Sequence, residues 1–178
     1  MAAYSATDLM TRALELARKG KGRTLPNPMV GAILFKNGRI VGQGYHQCPG
    51  RPHAEVEAIE DSGRNAKGAT MYVNLEPCCH VGKTGPCTEK IKNAGIKKVV
   101  YAVADPNPLV NGKGARTLRK AGIEATNGLM SREAARLNEI YFTLVEKQRP
   151  FVILKIAQSL DGKIATSSGN SRWISGQE

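Results

Sequence analysis

Apolar residues recur at helical spacing near the start of the chain and then switch to strand spacing. Ser5-Ala-Thr-Asp8 puts an oxygen-bearing cap and an acid in a first turn, and Leu9, Ala13, Leu16 and Ala17 then share one helical face. Gly20 is the expected stop. Met29 to Phe35 is an apolar run of strand length, Asn37-Gly38 is a hairpin signal, and Arg39 to Tyr45 returns as the second strand. A helix is expected from near His53, after Pro52, to Ser62-Gly63, and a strand from Ala69 to Leu75. An irregular Cys- and Gly-rich loop begins at Pro77. A helix follows from about Pro86 to Ala94, where proline suits a first turn because it has no N–H to leave unpaired.

Ile96 to Ala104 reads as a strand ended by Asp105-Pro-Asn-Pro108. A helix from about Lys113 to Ala121, a short strand from Ile123 to Thr126, and a helix capped by Ser131 follow. The last helix is expected to turn Ala134, Leu137, Tyr141 and Leu144 inward. Alternation of strand and helix argues for an α/β fold with a substantially parallel sheet. Arg149-Pro150 breaks the last helix, and Phe151 to Ala157 reads as a new buried strand. Gln158 to Glu178 is polar, Gly- and Ser-rich, and too short to close a second core. The expected division is therefore residues 1–148 as one domain and 149–178 as the opening of another.

Composition narrows the class. With 41% hydrophobic and 23% charged residues in 178, the chain suits a folded protein with a full core. The N-terminus has neither an apolar signal core nor a small-residue cleavage site, and no apolar run is long enough to span a bilayer, so the expectation is a cytoplasmic protein without a membrane partner. A formal net charge of +11 favours anionic partners. The basic residues are scattered and aromatics are only 5% of the chain, so charge alone does not separate a phosphate monoester from RNA.

Chemistry concentrates in two short stretches. Pro52-His53-Ala54-Glu55 is the first, and Pro77-Cys78-Cys79-His80 with Pro86-Cys87 is the second. One imidazole and two thiolates suit zinc, and three protein ligands leave an open position, as a catalytic site requires. His53 and Cys87 both fall at helix starts, where the positive end of the dipole is expected to favour thiolates. Glu55 can reach a water at the open position without ligating the metal. It would take the water's proton, protonate a ring nitrogen and pass a proton to departing ammonia. A structural zinc site would recruit a fourth ligand, Cys79 or His80, and gives no reason for Glu55. Cys79 is expected to pack away from Cys78, and Cys48 to be a bystander.

Gly42-x-Gly44-x-His46, Gly50-x-Pro52-His53-Ala54-Glu55 and Glu76-Pro77-Cys78-Cys79-His80-x-Gly82-Lys83-Thr84-Gly85-Pro86-Cys87 together resemble one family, the deaminase half of the bifunctional riboflavin-biosynthesis deaminase/reductases. Pro26-Asn27-Pro28-x-Val30-Gly31 and Asp105-Pro106-Asn107-Pro108 extend the resemblance. Eight residues separate Cys78 from Cys87, against the two typical of cytidine and tRNA adenosine deaminases. The resemblance implies a cytidine-deaminase-like three-layer α/β/α fold with a central mixed five-stranded sheet. It also implies zinc held by His53, Cys78 and Cys87, Glu55 as the catalytic acid and base, and a phosphorylated pyrimidine substrate, 2,5-diamino-6-ribosylamino-4(3H)-pyrimidinone 5′-phosphate. Carried over by position, Asn27, His46, His80, Lys83, Thr84, Asp105 and Asn107 are the implied substrate contacts. Asn27 and Asn107 sit between prolines and could equally shape turns. The family often has Ser at position 79 and Pro at position 85, where this chain has Cys and Gly.

The tail from Lys155 to Ala165, with Ser171-x-Trp173-Ile174, resembles the opening of the family's dihydrofolate-reductase-like domain. That resemblance places Ala157 and Trp173 against NADPH and Ser171 against the reductase substrate, and these 178 residues alone are not expected to reduce anything. A homo-oligomer is also expected, with no nucleic-acid partner. Two other readings stay open from the residues alone: a deaminase of another nucleotide or of a tRNA base, and a zinc-stabilised binding module without turnover.

Overall fold

A computed structural model describes residues 4–81 and 85–171. Five strands form one mixed sheet in the order β2-β1-β3-β4-β5: β1 (Gly31–Lys36), β2 (Arg39–Tyr45), β3 (Thr70–Leu75), β4 (Lys98–Val103) and β5 (Glu124–Asn127). β1 runs antiparallel to both β2 and β3, whereas β3, β4 and β5 are parallel. The sheet is thus less parallel than strand–helix alternation alone suggests, because the Asn37-Gly38 hairpin adds two strands without a crossover helix. Both turn residues have positive φ, 49° and 77°, which matches the twist of the flanking strands. An irregularity at Leu34/Phe35 lets β2 carry one extra residue.

The helices are α1 (Ala6–Arg18), α2 (Ala54–Ser62), α3 (Cys87–Asn93), α4 (Lys113–Lys120), α5 (Ser131–Leu137) and α6 (Glu139–Lys147). α1 starts on a reciprocal cap: the Asp8 N–H donates to Ser5 Oγ at 3.1 Å, and the Ser5 N–H donates to Asp8 Oδ2 at 2.9 Å. Alternate strand residues divide between two cores. Ala32, Leu34, Met71, Val73, Val99 and Tyr101 meet α2, α3 and α4 on one face. Ile33, Val100 and Ala102 meet α1 and α5 on the other. The result is a helix–sheet–helix sandwich. Gly44 lets α2 lie directly on β2, since a Cβ there would come within 2.6 Å of the Ala54 carbonyl.

Four expectations are corrected. The single helix from Ser131 is two, broken at Asn138, whose side chain pairs with the backbone of Met29 at both ends: Oδ1 accepts from the N–H at 2.8 Å and Nδ2 donates to the carbonyl at 2.9 Å. The break re-aims the second half, so Tyr141 is buried but Leu144 is exposed. Ser131 is the first residue of α5 and not its cap; Met130, in the left-handed region, holds that place. Phe151 to Ala157 forms no strand, and Val152 and Leu154 are 77% and 79% exposed. A strand needs a neighbouring ladder, and among the described residues none reaches this segment.

Candidate active site

The site lies where β3 and β4 end and α2 and α3 begin, the end of an α/β sheet at which ligand loops gather. His53 is the N-cap of α2, and its extended backbone turns the ring toward the Cys loop. His53 Nδ1 is 3.2 Å from Cys87 Sγ and 3.6 Å from Cys78 Sγ, and the three ligand atoms lie within 4.8 Å of one another. Tetrahedral zinc with one nitrogen and two sulfur ligands gives edges of about 3.5–3.8 Å. The donor set and its spacing therefore fit zinc. Cys79 and His80 stand outside this cluster; Cys79 Sγ instead lies 3.6 Å from the Leu109 carbonyl.

The α3 N-terminus stabilises a thiolate, but not the one expected. The Cys87 N–H points at Cys78 Sγ, 3.4 Å away, and the Thr88 N–H donates to the Cys78 carbonyl at 3.1 Å. The Cys87 thiol hydrogen bond, followed by that of His53, brings Cys78 down to about 4. The same pairing pushes Cys87 well up, with burial adding to it. Cys78, which is not on a helix, thus receives the helix-start N–H of Cys87. The Cys78 interaction also raises His53.

Glu55, in the first turn of α2, is buried and lines the same cavity as His53 and Cys78. Burial, then the neighbouring Cys78 charge, pushes its carboxyl up to about 7. The cavity holds about 290 Å³. His46 forms a wall with its ring edge-on to His53, centroids 5.3 Å apart. Its Nδ1 is 3.1 Å from the Pro52 carbonyl, which can only accept, so Nδ1 carries the proton and Nε2 accepts from Asn27 Nδ2 at 3.1 Å. Burial holds His46 below its usual value and so keeps this neutral form. Asn27 is fixed with its Oδ1 still available. Asn74 holds its segment in place, accepting from the Gly31 N–H at 2.8 Å and donating to the Met29 carbonyl at 3.0 Å.

Behind the Cys loop, Glu76 is buried and accepts from three backbone N–H groups: Asp105 at 3.4 Å, Gly112 at 2.9 Å and Ala115 at 2.9 Å. It ties the end of β3 to the loop after β4 and to the start of α4. Gly114 permits this closeness, because a Cβ there would come 2.1 Å from the Pro77 carbonyl. Asp105 and Asn107 line the cavity from the loop after β4. Asn107 Oδ1 accepts from the Leu109 N–H at 3.0 Å, so the turn-shaping role expected between prolines is present. His80 also lines the cavity, and its Nδ1 is the one buried side-chain polar atom without a hydrogen bond among the described residues.

The structure thus gathers Asn27, His46, His53, Glu55, Cys78, His80, Asp105 and Asn107 around one space, and Cys87 completes the three-ligand cluster with His53 and Cys78. Lys83, Thr84 and Trp173 lie outside the described residues. Ala157 and Ser171 are exposed, and neither lines the cavity described above. Sequence reasoning missed Glu76, Asn74 and Asn138 as supports and Tyr141 and Arg51 as walls. A charged residue ending an otherwise apolar strand was the available signal for Glu76; Tyr141 was expected to point inward, but toward a core.

Residues 4–103 match the cytidine and deoxycytidylate deaminase zinc-binding region, and the chain belongs to that family. Residues 150–178 match the RibD C-terminal domain. The chain is similar over nearly its whole length to riboflavin biosynthesis protein RibD. The Aquifex aeolicus protein is 56% identical across 95% of this chain and 48% of its own length, and the Escherichia coli protein is 49% identical across 93% and 45%. A crystal structure of the Thermotoga maritima diaminohydroxyphosphoribosylaminopyrimidine deaminase/5-amino-6-(5-phosphoribosylamino)uracil reductase superposes with a TM-score of 0.91 at 49% identity, covering 96% of this chain and 50% of that one. The Aspergillus oryzae Rib2 deaminase, solved in complex with DARIPP, gives 0.61 at 28% identity, covering 78% and 92%. The chain spans about half the length of the bifunctional relatives it matches.

Proposed function

We propose that this protein hydrolyses the amino group of 2,5-diamino-6-ribosylamino-4(3H)-pyrimidinone 5′-phosphate, giving 5-amino-6-(5-phosphoribosylamino)uracil and ammonia. The observation that carries the reading is the buried carboxylate of Glu55 beside a three-ligand cluster that lacks a fourth protein donor among the described residues. High identity to RibD and fold similarity to a deaminase crystallised with DARIPP support the choice of substrate. Zinc, when bound by His53, Cys78 and Cys87, supplies a Lewis acid that makes water nucleophilic near neutral pH. Glu55 takes one proton from the attacking water and passes it to the ring nitrogen beside the reacting carbon, then takes the second from the newly added hydroxyl and passes it to the amine as the C–N bond breaks and the carbonyl forms. One water is consumed and one ammonia leaves.

Asn27, held by neutral His46, orients the ring. His80, which lines the same cavity, contacts the ligand there. Lys83 neutralises the phosphate, Thr84 joins the substrate contacts, and Asp105 and Asn107 bond the ribose hydroxyls or the phosphate. A cavity of about 290 Å³ suits a small molecule better than a nucleic-acid strand. We assign residues 1–148 to this deaminase unit and 149–178 to the opening of a reductase unit. In that unit Ala157 and Trp173 would meet NADPH and Ser171 the substrate. No helix among the described residues is long and apolar enough to cross a membrane, and we take the protein as a cytoplasmic homo-oligomer.

Ammonia release from the riboflavin-pathway pyrimidine, dCMP and tRNA, measured beside zinc content, tests the assignment. Turnover of the first alone, lost in Glu55→Ala with zinc retained, is the expected result. Turnover of dCMP or tRNA instead, or an undiminished Glu55→Ala enzyme, overturns it.

A further inference from the structure

Asp105 and Tyr141 both lie beyond residues 4–103, the part shared with the zinc-binding deaminases at large. They come from the loop after β4 and from α6, yet both line the cavity. The Tyr141 hydroxyl donates to Asp105 Oδ1 at 2.8 Å, and the Asn107 N–H donates to the same oxygen at 2.9 Å. Both side chains are buried. Oδ2 has no hydrogen-bond partner among the described residues. It is also absent from the buried unpartnered atoms, where His80 Nδ1 stands alone, so Oδ2 is reached by solvent. The open space that Asp105 lines is the cavity. One oxygen is therefore saturated by the protein and the other is presented bare to the ligand.

We propose that Tyr141 is a positioning residue that locks the Asp105 carboxylate by its Oδ1, leaving Oδ2 as a fixed acceptor for a sugar hydroxyl of the phosphoribosyl substrate. The inference deepens the substrate reading above and rests on it. A carboxylate oxygen can only accept, so it selects a ligand group that donates, and a sugar hydroxyl does so where a phosphate oxygen does not. A carboxylate free to rotate about its last bond would offer either oxygen, and the ordering cost would fall on binding. The tyrosine removes that freedom before the ligand arrives. Burial and the adjacent Asp105 charge push the Tyr141 hydroxyl well up, so it stays a donor at any working pH.

Calorimetry with ribose 5-phosphate and with inorganic phosphate, on wild type and Tyr141→Phe, tests this independently of turnover. The variant removes one oxygen and keeps the ring. The expected result is that ribose 5-phosphate binds about tenfold more weakly, the scale of one hydrogen bond to a charged group, while inorganic phosphate binds as before. In steady state KM for the pyrimidine substrate rises by the same factor and kcat stays within about twofold. Equal weakening of both ligands points to general damage and overturns the proposal, as does an unchanged ribose 5-phosphate affinity or a wild type that does not bind it. If Tyr141→Phe does not fold, Asp105→Asn serves, and it must show the same selective loss. A selective loss in a protein that releases no ammonia from the pyrimidine sinks the substrate assignment and leaves the role of Tyr141 standing.

Discussion

Two apolar runs of similar length have opposite fates. Lys98–Val103 is β4, the middle of three parallel strands, with Val99 and Ala102 fully buried. Phe151 to Ala157 is at least as apolar, and its Val152, Ile153 and Leu154 stand in solvent. The difference lies outside either run. β4 has β3 and β5 as partners and helices on both faces. Among the described residues the tail has no sheet to join. Apolar composition supplies the drive to be buried; only neighbours supply the ladder and the covering surface that make burial a strand.

The sharpest way to break this contrast is at the buried carboxylate that ties the parallel strands to their loops. Glu76→Ala leaves the N–H groups of Asp105, Gly112 and Ala115 without their acceptor. It should cost about 3–5 kcal/mol in urea unfolding and raise KM as the Asp105 loop loosens. Leucines come next. Leu34→Ala, in the fully buried part of β1, should cost about 2–5 kcal/mol, whereas Leu154→Ala should stay within about 0.5 kcal/mol. Equal costs would show that the tail is packed in solution. Limited trypsin digestion reads the same difference, with cuts after Lys155 and Lys163 preceding any within the sheet region.

Chelation should act on the ordered region alone. Because zinc binds the folded cluster, its removal lowers thermal stability by about 2.7 kcal/mol when free zinc had stood at a hundred times Kd, followed by calorimetry. The hydrogen-exchange behaviour of residues 149–171 should not change with it. The smallest effect belongs to the α1 cap. The Ser5 side chain, then its backbone N–H, holds Asp8 below its ordinary value. The folded state therefore favours the ionised form. The resulting stability is fully present above the unfolded carboxylate value and is lost as pH falls through the lower folded one. Wild type and Asp8→Asn should differ in melting temperature at neutral pH and converge in strong acid.

Much of the site was legible because its chemistry is local. His53 and Glu55 are two residues apart at a helix start, and the Pro-Cys pairs mark the other ligands. Asn27, His46, His80, Asp105 and Asn107 could be named through the resemblance, and the fold brings them to one cavity. What could not be read was support from far along the chain. Asn138 grips Met29 across 109 residues, and Glu76 grips α4 across 36 to 39. A polar residue in an apolar stretch announces that it needs a partner, but not which one.

By itself the sequence determined the elements from α1 to β5, the hairpin turn and the donor set, and it put a carboxylate two residues from His53, since each depends on residues within a turn or two of one another. Tertiary structure alone decided three other things. It turned the helix-start N–H of Cys87 onto the sulfur of the opposite ligand, Cys78. It broke the last helix so that Tyr141 could reach Asp105. It left the second apolar run exposed. The physical reason is shared: hydrogen-bond donors and covering surface come from distant segments, and their arrival depends on how the whole sheet is assembled.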